Sequence, residues 1–230
     1  MNAILRDAVQ TRQSTLADVQ GFVSGFVVAH FRGALSVRAV FDAALFHIAN
    51  VEISMSEVLG NITIREDDDN GDDNVTQLRL VTSTGTAPQA PPLETNSVQF
   101  NEFHEASTSG GPDGRATSEF GIILGDFVDE DERYPYRPGE RLRKDVSAAL
   151  LVTRLPKEDQ RHSYRSGKTS VADDQNELVV KVTLWSLIKL HHSDLDVSYD
   201  CLEETRHEIG RWGEEMVRAM QGTLSLKQAH

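Results

Sequence analysis

Cysteine is almost missing from this chain. Cys201 is the one instance in 230 residues. That excludes an intramolecular disulfide and a cysteine-rich zinc site, and leaves Cys201 as a small residue on a helix. Long apolar runs are missing as well. The longest, "GFVSGFVVAHF" (21–31), has 11 residues, whereas a membrane-spanning helix needs about 20. The opening "MNAILRDAVQTRQ" carries neither the basic start nor the apolar centre of a signal peptide. The expectation is a soluble protein made in a cytoplasm, with no membrane partner. Positive charge is scarce: 23 Lys and Arg stand against 36 Asp and Glu, giving a net charge of −13. Nucleic-acid affinity comes largely from neutralising phosphates, so no direct nucleic-acid binding is expected.

Catalytic and cofactor motifs fail on their spacing. "SGKTS" (166–170) has the tail of a phosphate-binding loop, but that motif needs glycine five positions before Gly167, where His162 stands. "HEIGR" (207–211) begins like a zinc-protease helix, but Arg211 replaces the second histidine and the ligand pair is lost. His191, His192, Asp194 and Asp196 cluster at a strand end and read as capping or solvent-facing groups. Carboxylates are plentiful, yet no pair stands out as general acid and base. No catalytic residue, metal ligand or cofactor is therefore assigned, and the chain is not expected to be an enzyme.

Periodic segments are what remain. Residues 3–31 place Leu5, Val9, Leu16, Val19, Val23 and Phe26 at spacings near three and four, which predicts a helix. Within it, Gly21 and Gly25 read as tolerated glycines. A second helix is expected over 36–50, with Val40, Phe41, Ala44, Leu45 and Ile48 on one face and His47 at its edge. "VLGNITIRE" and "NVTQLRLVTS" alternate as half-buried strands around Asn70-Gly71, a strong hairpin-turn signal. "SVQFNEFH", "EFGIILGDFV" (119–128), "VSAALLVTRL" (146–155) and "ELVVKVTLWSLIKLHH" (177–192) read as further strands. The clearest helix is 195–221, with Leu195, Tyr199, Leu202, Ile209, Trp212, Met216 and Met220 on one face, a gap at Thr205 and Arg206, and Ser193 or Asp194 as N-cap. The fold class is α+β: a mostly antiparallel β-sheet flanked by an N-terminal helical region and a long C-terminal amphipathic helix. One domain, 1–230, carries long loops or arms at 83–118 and 156–175.

The hairpin tip "REDDDNGDDN" (65–74) holds six acidic side chains. Setting Gly71 at position 6 of a calcium loop puts Gln77 where the bidentate Glu belongs, and no helices flank it. The tip reads as a solvated, self-repelling cluster or as a prong facing a partner through Asp67, Asp68, Asp69, Asp72 and Asp73. The loop at 156–175 supplies a basic counterpart in Arg161, Arg165 and Lys168, beside His162, on another subunit.

The last third, "YRPGERLRKDVSAALLV", a variable loop, "ELVVKVTLW" and the helix "LDVSYDCLEETRHEIGRWGEEMV", resembles phage tail-completion proteins, and the N-terminal helix suits their tail-terminator group. The resemblance implies a structural subunit that forms a hexameric ring with itself. It would join tail tube or sheath to the head-tail connector and sit in the tail or neck of the virion. Alternatives are another neck or baseplate adaptor, or an enzyme with a dispersed Asp/His/Arg site.

Overall fold

The computed structural model describes residues 19–68, 74–83, 90–107, 117–156 and 177–228. Their order is β1 (Val19–Arg32), α1 (Val37–Ala49), α2 (Val51–Leu59), β2 (Ile62–Asp68), β3 (Val75–Ser83), β4 (Leu93–His104), β5 (Phe120–Phe127), β6 (Leu142–Arg154), β7 (Val179–His191) and α3 (Tyr199–Gln228). The fold is α+β. Seven strands form one sheet in the order β1-β7-β6-β5-β4-β3-β2. Every neighbouring pair is antiparallel. Beyond the end of β5, β4 also touches β6 directly, in parallel, at Leu93–Leu142 and Glu94–Arg143.

Residues 19–32 form a strand, which corrects the helix expected there. The side chains of 21–32 alternate in burial, with Val23, Val27, Ala29 and Phe31 turned inward and Phe22, Phe26, Val28 and Arg32 outward. Both faces carry apolar residues, so the sequence shows no clean period of two, and the valines also satisfy helical spacing. β-Branched and aromatic residues favour the extended form, and two glycines weaken a helix. Residues 3–18 of the expected helix lie outside the described residues. The helical region ahead of the rest of the sheet is α1 and α2. Ser36 caps α1, its Oγ accepting from the Ala39 amide at 3.0 Å.

Both glycines of β1 meet close neighbours rather than being merely tolerated. A Cβ on Gly21 would lie 2.5 Å from the Arg206 guanidinium, and one on Gly25 would lie 2.8 Å from Ser186 Oγ. The hairpin of β2 and β3 pairs as the alternation predicts, Ile62 opposite Ser83 through Asp68 opposite Gln77. Within the 83–118 stretch the strand read at "SVQFNEFH" is β4, which begins four residues earlier, at Leu93; residues 84–89 and 108–116 lie outside the described residues. Residues 157–176 lie outside the described residues.

All three helices pack on one face of the sheet. Val37, Val40, Phe41, Ala44 and Ile48 of α1 and Met216, Val217, Met220 and Leu224 of α3 share a core with Ile123, Leu150, Val152, Val180, Val182 and Leu184. Helix α3 begins at Tyr199, later than the N-cap expected at 193 or 194. Ser193 instead accepts from the Leu195 amide at 3.0 Å within the preceding turn. Tyr199 is exposed, while Thr205, expected in a gap of the stripe, is buried. No described helix is long and apolar enough to cross a membrane. The opposite face carries an open apolar row, Phe26, Trp185, Ala149, Leu124 and Phe100, in register across five strands.

Candidate functional site

The helices do not cover the inner face evenly. Between the β3–β4 side of the sheet and the helices lies a cavity of about 120 Å³. Its walls follow from strand and helix periodicity. Leu93, Thr95, Ser97 and Gln99 are alternate residues of β4, Leu78 and Leu80 of β3, and Lys144 and Val146 of β6, because every second residue of a strand faces the same side. Ile188 of β7 completes the floor. Thr205 and Trp212, seven residues apart on α3, lie on one helix face two turns from each other and form the roof with Ile48 and Val51; Asn61 closes the side. Gly213 lets α3 sit close to the sheet next to Trp212. A Cβ there would fall 3.1 Å from Leu184 and 3.4 Å from Val27.

Most of the lining is hydrocarbon. Ile48, Val51, Leu78, Leu80, Leu93, Val146, Ile188 and Trp212 supply it, and Val51, Leu78 and Leu80 form a small buried cluster against Trp212. The polar side chains among the described residues are Asn61, Thr95, Ser97, Gln99, Thr205 and the charged Lys144. Asn61, Lys144 and Thr205 already take part in interactions within the protein. Among the described residues no three His, Cys, Asp or Glu side chains could hold a metal ion.

A second, larger depression of about 350 Å³ lies on the outer face, between β4, β6 and residues 128–136. Its charges are largely used in holding that loop. Arg79 donates through Nε to Glu94 at 2.8 Å and also pairs with Glu66, while Arg141 reaches the other oxygen of Glu94 at 3.0 Å. Arg143 donates to Asp145 at 2.7 Å, and His191 sits 2.7 Å from the other oxygen of Asp145. Burial pushes the Asp145 carboxyl up, but the hydrogen bonds from His191 and Arg143 outweigh it and hold the group below its usual value. Asp131 behaves alike: burial raises it, and bonds from Asn96 and the Tyr134 and Arg133 amides bring it below normal. The Tyr136 hydroxyl donates to Arg141 O at 2.9 Å and accepts from the Arg143 amide at 3.0 Å. This depression is the seam where the loop is fastened to the sheet.

Of the residues singled out in the sequence, Asp67 and Asp68 lie at the end of β2, opposite Leu78 and Gln77. Asp69, Asp72, Asp73, Arg161, Arg165 and Lys168 lie outside the described residues, and with them the expected pairing of the acidic tip with the basic loop. His191 serves Asp145, and Arg211 of the "HEIGR" segment pairs with Glu215 one turn on. Sequence reasoning missed the cavity, although it placed two of the lining residues, Ile48 and Trp212, on the packing faces of their helices. The available signal was the run of small polar residues Thr95, Ser97 and Gln99 on one face of a strand that otherwise packs inward.

No family model matches the chain, and no curated protein matches its sequence. Among solved structures, human STARD10 aligns at 11% identity over 89% of this chain and 66% of its own, with a TM-score of 0.45. The human StarD13 (DLC2) lipid transfer and protein localization domain aligns at 9% identity over 97% and 98%, with a TM-score of 0.45. A STAR-related lipid transfer protein from Xanthomonas axonopodis aligns at 12% over 87% and 85%, with a TM-score of 0.43. The second and third of these are named for lipid transfer, and none of the three is a phage tail protein. The tail-terminator resemblance is corrected accordingly, and with it go the self-associated hexameric ring, the tail tube, sheath and connector partners, and the virion location. The neck or baseplate adaptor and the dispersed Asp/His/Arg enzyme are withdrawn as well. The order strand, loop, strand, amphipathic helix recurs across many α+β folds, so it identifies no function.

Proposed function

We propose that the protein binds a small, mainly apolar molecule in the cavity between the sheet and α3. One observation carries this reading: a partly open space of about 120 Å³ between the sheet and the helices, walled by Leu78, Leu80, Leu93, Val146, Ile188 and Trp212, with a few polar groups among them. Ligand sites are typically of this kind, apolar with a small number of placed polar groups. A cavity of about 150 Å³ lined by Leu, Ile and Phe admits benzene, so the space here suits a ring or chain of roughly six to eight heavy atoms. Binding rather than catalysis is proposed because the lining offers no paired acid and base and no activated nucleophile.

Thermal unfolding with hexanol, cyclohexanol and benzyl alcohol tests the reading. A fitting ligand raises the melting temperature with concentration, because it binds only the folded state. Ser97→Phe, which projects a ring into the cavity, should abolish the rise. No stabilisation by any of the three, or equal stabilisation in S97F, would remove the proposal.

A further inference from the structure

We infer that the ligand carries a hydroxyl or carbonyl oxygen, and that Thr95 and Ser97 of β4 read it. The inference rests on the binding reading above and adds the chemistry of the ligand's polar end. Three observations combine. Thr95 is 5% exposed and Ser97 7%, so both are largely removed from bulk water. Both line the cavity. Neither hydroxyl has a hydrogen-bond partner among the described residues, in contrast to neighbouring buried polar groups. Asn61, Lys144 and Thr205 are engaged within the protein, and the buried Thr82 of β3 meets Thr63 Oγ1 at 3.1 Å.

The topology turns these hydroxyls into a row. Thr95 and Ser97 are alternate residues of one strand, so they face the same side, about 7 Å apart along it. On β3, Leu80 stands opposite Thr95 and Leu78 opposite Ser97, one strand spacing of about 4.8 Å away. Leu78 and Leu80 cluster with Val51 against Trp212. The space therefore has a hydrocarbon side over β3 and a hydroxyl side over β4, where Gln99 adds an amide next in the row. Buried polar groups are nearly always hydrogen-bonded, and one without a partner forfeits the bonds that water would give it. A pure hydrocarbon filling the space would leave both hydroxyls in that state. A hydroxyl both donates and accepts, so the row suits an alcohol and a ketone alike. A ligand whose hydrocarbon part lies on Leu78, Leu80 and Trp212, with its oxygen turned to β4, satisfies both sides.

The test compares benzyl alcohol with toluene, which share a ring and differ by one oxygen, by calorimetric titration of the full chain. A ligand hydroxyl buried without a partner is penalised, so the ratio of the two affinities reports whether Thr95 and Ser97 meet it. From the parent to the double variant Thr95→Val, Ser97→Ala, the affinity of benzyl alcohol relative to toluene should fall at least about tenfold, or about 1.4 kcal/mol, while toluene binding persists. Urea unfolding without ligand is the second readout. Each single variant should keep a midpoint no lower than the parent's, because no hydrogen bond within the protein is lost. A smaller fall in the ratio, with toluene still bound, overturns the inference and leaves the cavity reading standing. A lower midpoint in both single variants also overturns it, since the hydroxyls would then have partners in the protein. Binding of neither compound to the parent removes both readings.

Discussion

Gly121 is where the packing of α1 on the sheet can be tested by a single methyl group. It lies in β5, opposite Phe103 of β4 and Val152 of β6. The Phe41 ring covers it. A Cβ on Gly121 would stand 2.2 Å from Phe41 Cδ2, 2.7 Å from Cγ and 2.8 Å from Cε2. Phe41 cannot retreat freely, because it is 2% exposed and packs on Phe103 at 5.3 Å between ring centroids. Gly121 has no left-handed φ, so alanine suits its backbone and, by conformational entropy alone, would stabilise a strand by about 0.5–1 kcal/mol. Overpacking a filled core costs about 1–3 kcal/mol. The steric term should win, and Gly121→Ala should destabilise by about 1–2 kcal/mol net. Urea unfolding reads this as a lower midpoint at unchanged slope. Phe41→Leu should relieve the clash, so the double variant should lose less than the two single losses added together. An alanine variant as stable as the parent, with additive effects in the double, would show that Phe41 does not lie over Gly121.

Two further outcomes follow from the outer-face network. Arg79→Met removes the cation held between Glu94 and Glu66, whose own side chain is 7% exposed. Breaking a buried pair costs about 3–5 kcal/mol, and the loss should fall at the low end because Arg141 still reaches Glu94; a chemical-denaturation change under about 0.5 kcal/mol, the surface-substitution range, would contradict it. Asp145 has a folded pKa below its ordinary 3.8, so its contribution is complete above the unfolded value and is lost as pH falls through the folded one. The melting-temperature gap between the parent and Asp145→Asn should be constant above about pH 5 and close below about pH 3.8; a gap that widens in acid would reverse the sign.

Much of the architecture could be read locally. The strands β5, β6 and β7 and the β2–β3 hairpin announce themselves by alternation or by β-branched runs, and α3 by its stripe. β1 could not be read this way, because Phe22, Phe26 and Val28 leave its outer face as apolar as its inner one. A strand without contrast between its faces offers the same evidence to a helix. The site was hidden for a different reason. Its lining comes from α1, α2, β3, β4, β6, β7 and α3, so no short stretch contains it, and residues as distant in sequence as Thr95 and Lys144 meet only through the parallel contact of β4 with β6. The acidic hairpin tip drew attention by composition, yet density of charge says nothing about where a cavity forms.

Trp212 offers a reporter inside the proposed site. The chain has two tryptophans. Trp185 is 42% exposed on the outer face, whereas Trp212 lines the cavity. In a Trp185→Phe variant all tryptophan emission comes from Trp212, and titration with hexanol and benzyl alcohol then asks whether small molecules enter the space beside it. The account predicts a saturable change in intensity or wavelength that is absent when Ser97→Phe is added. Emission that stays flat, or drifts linearly with ligand in both proteins, would contradict a binding site between the sheet and α3.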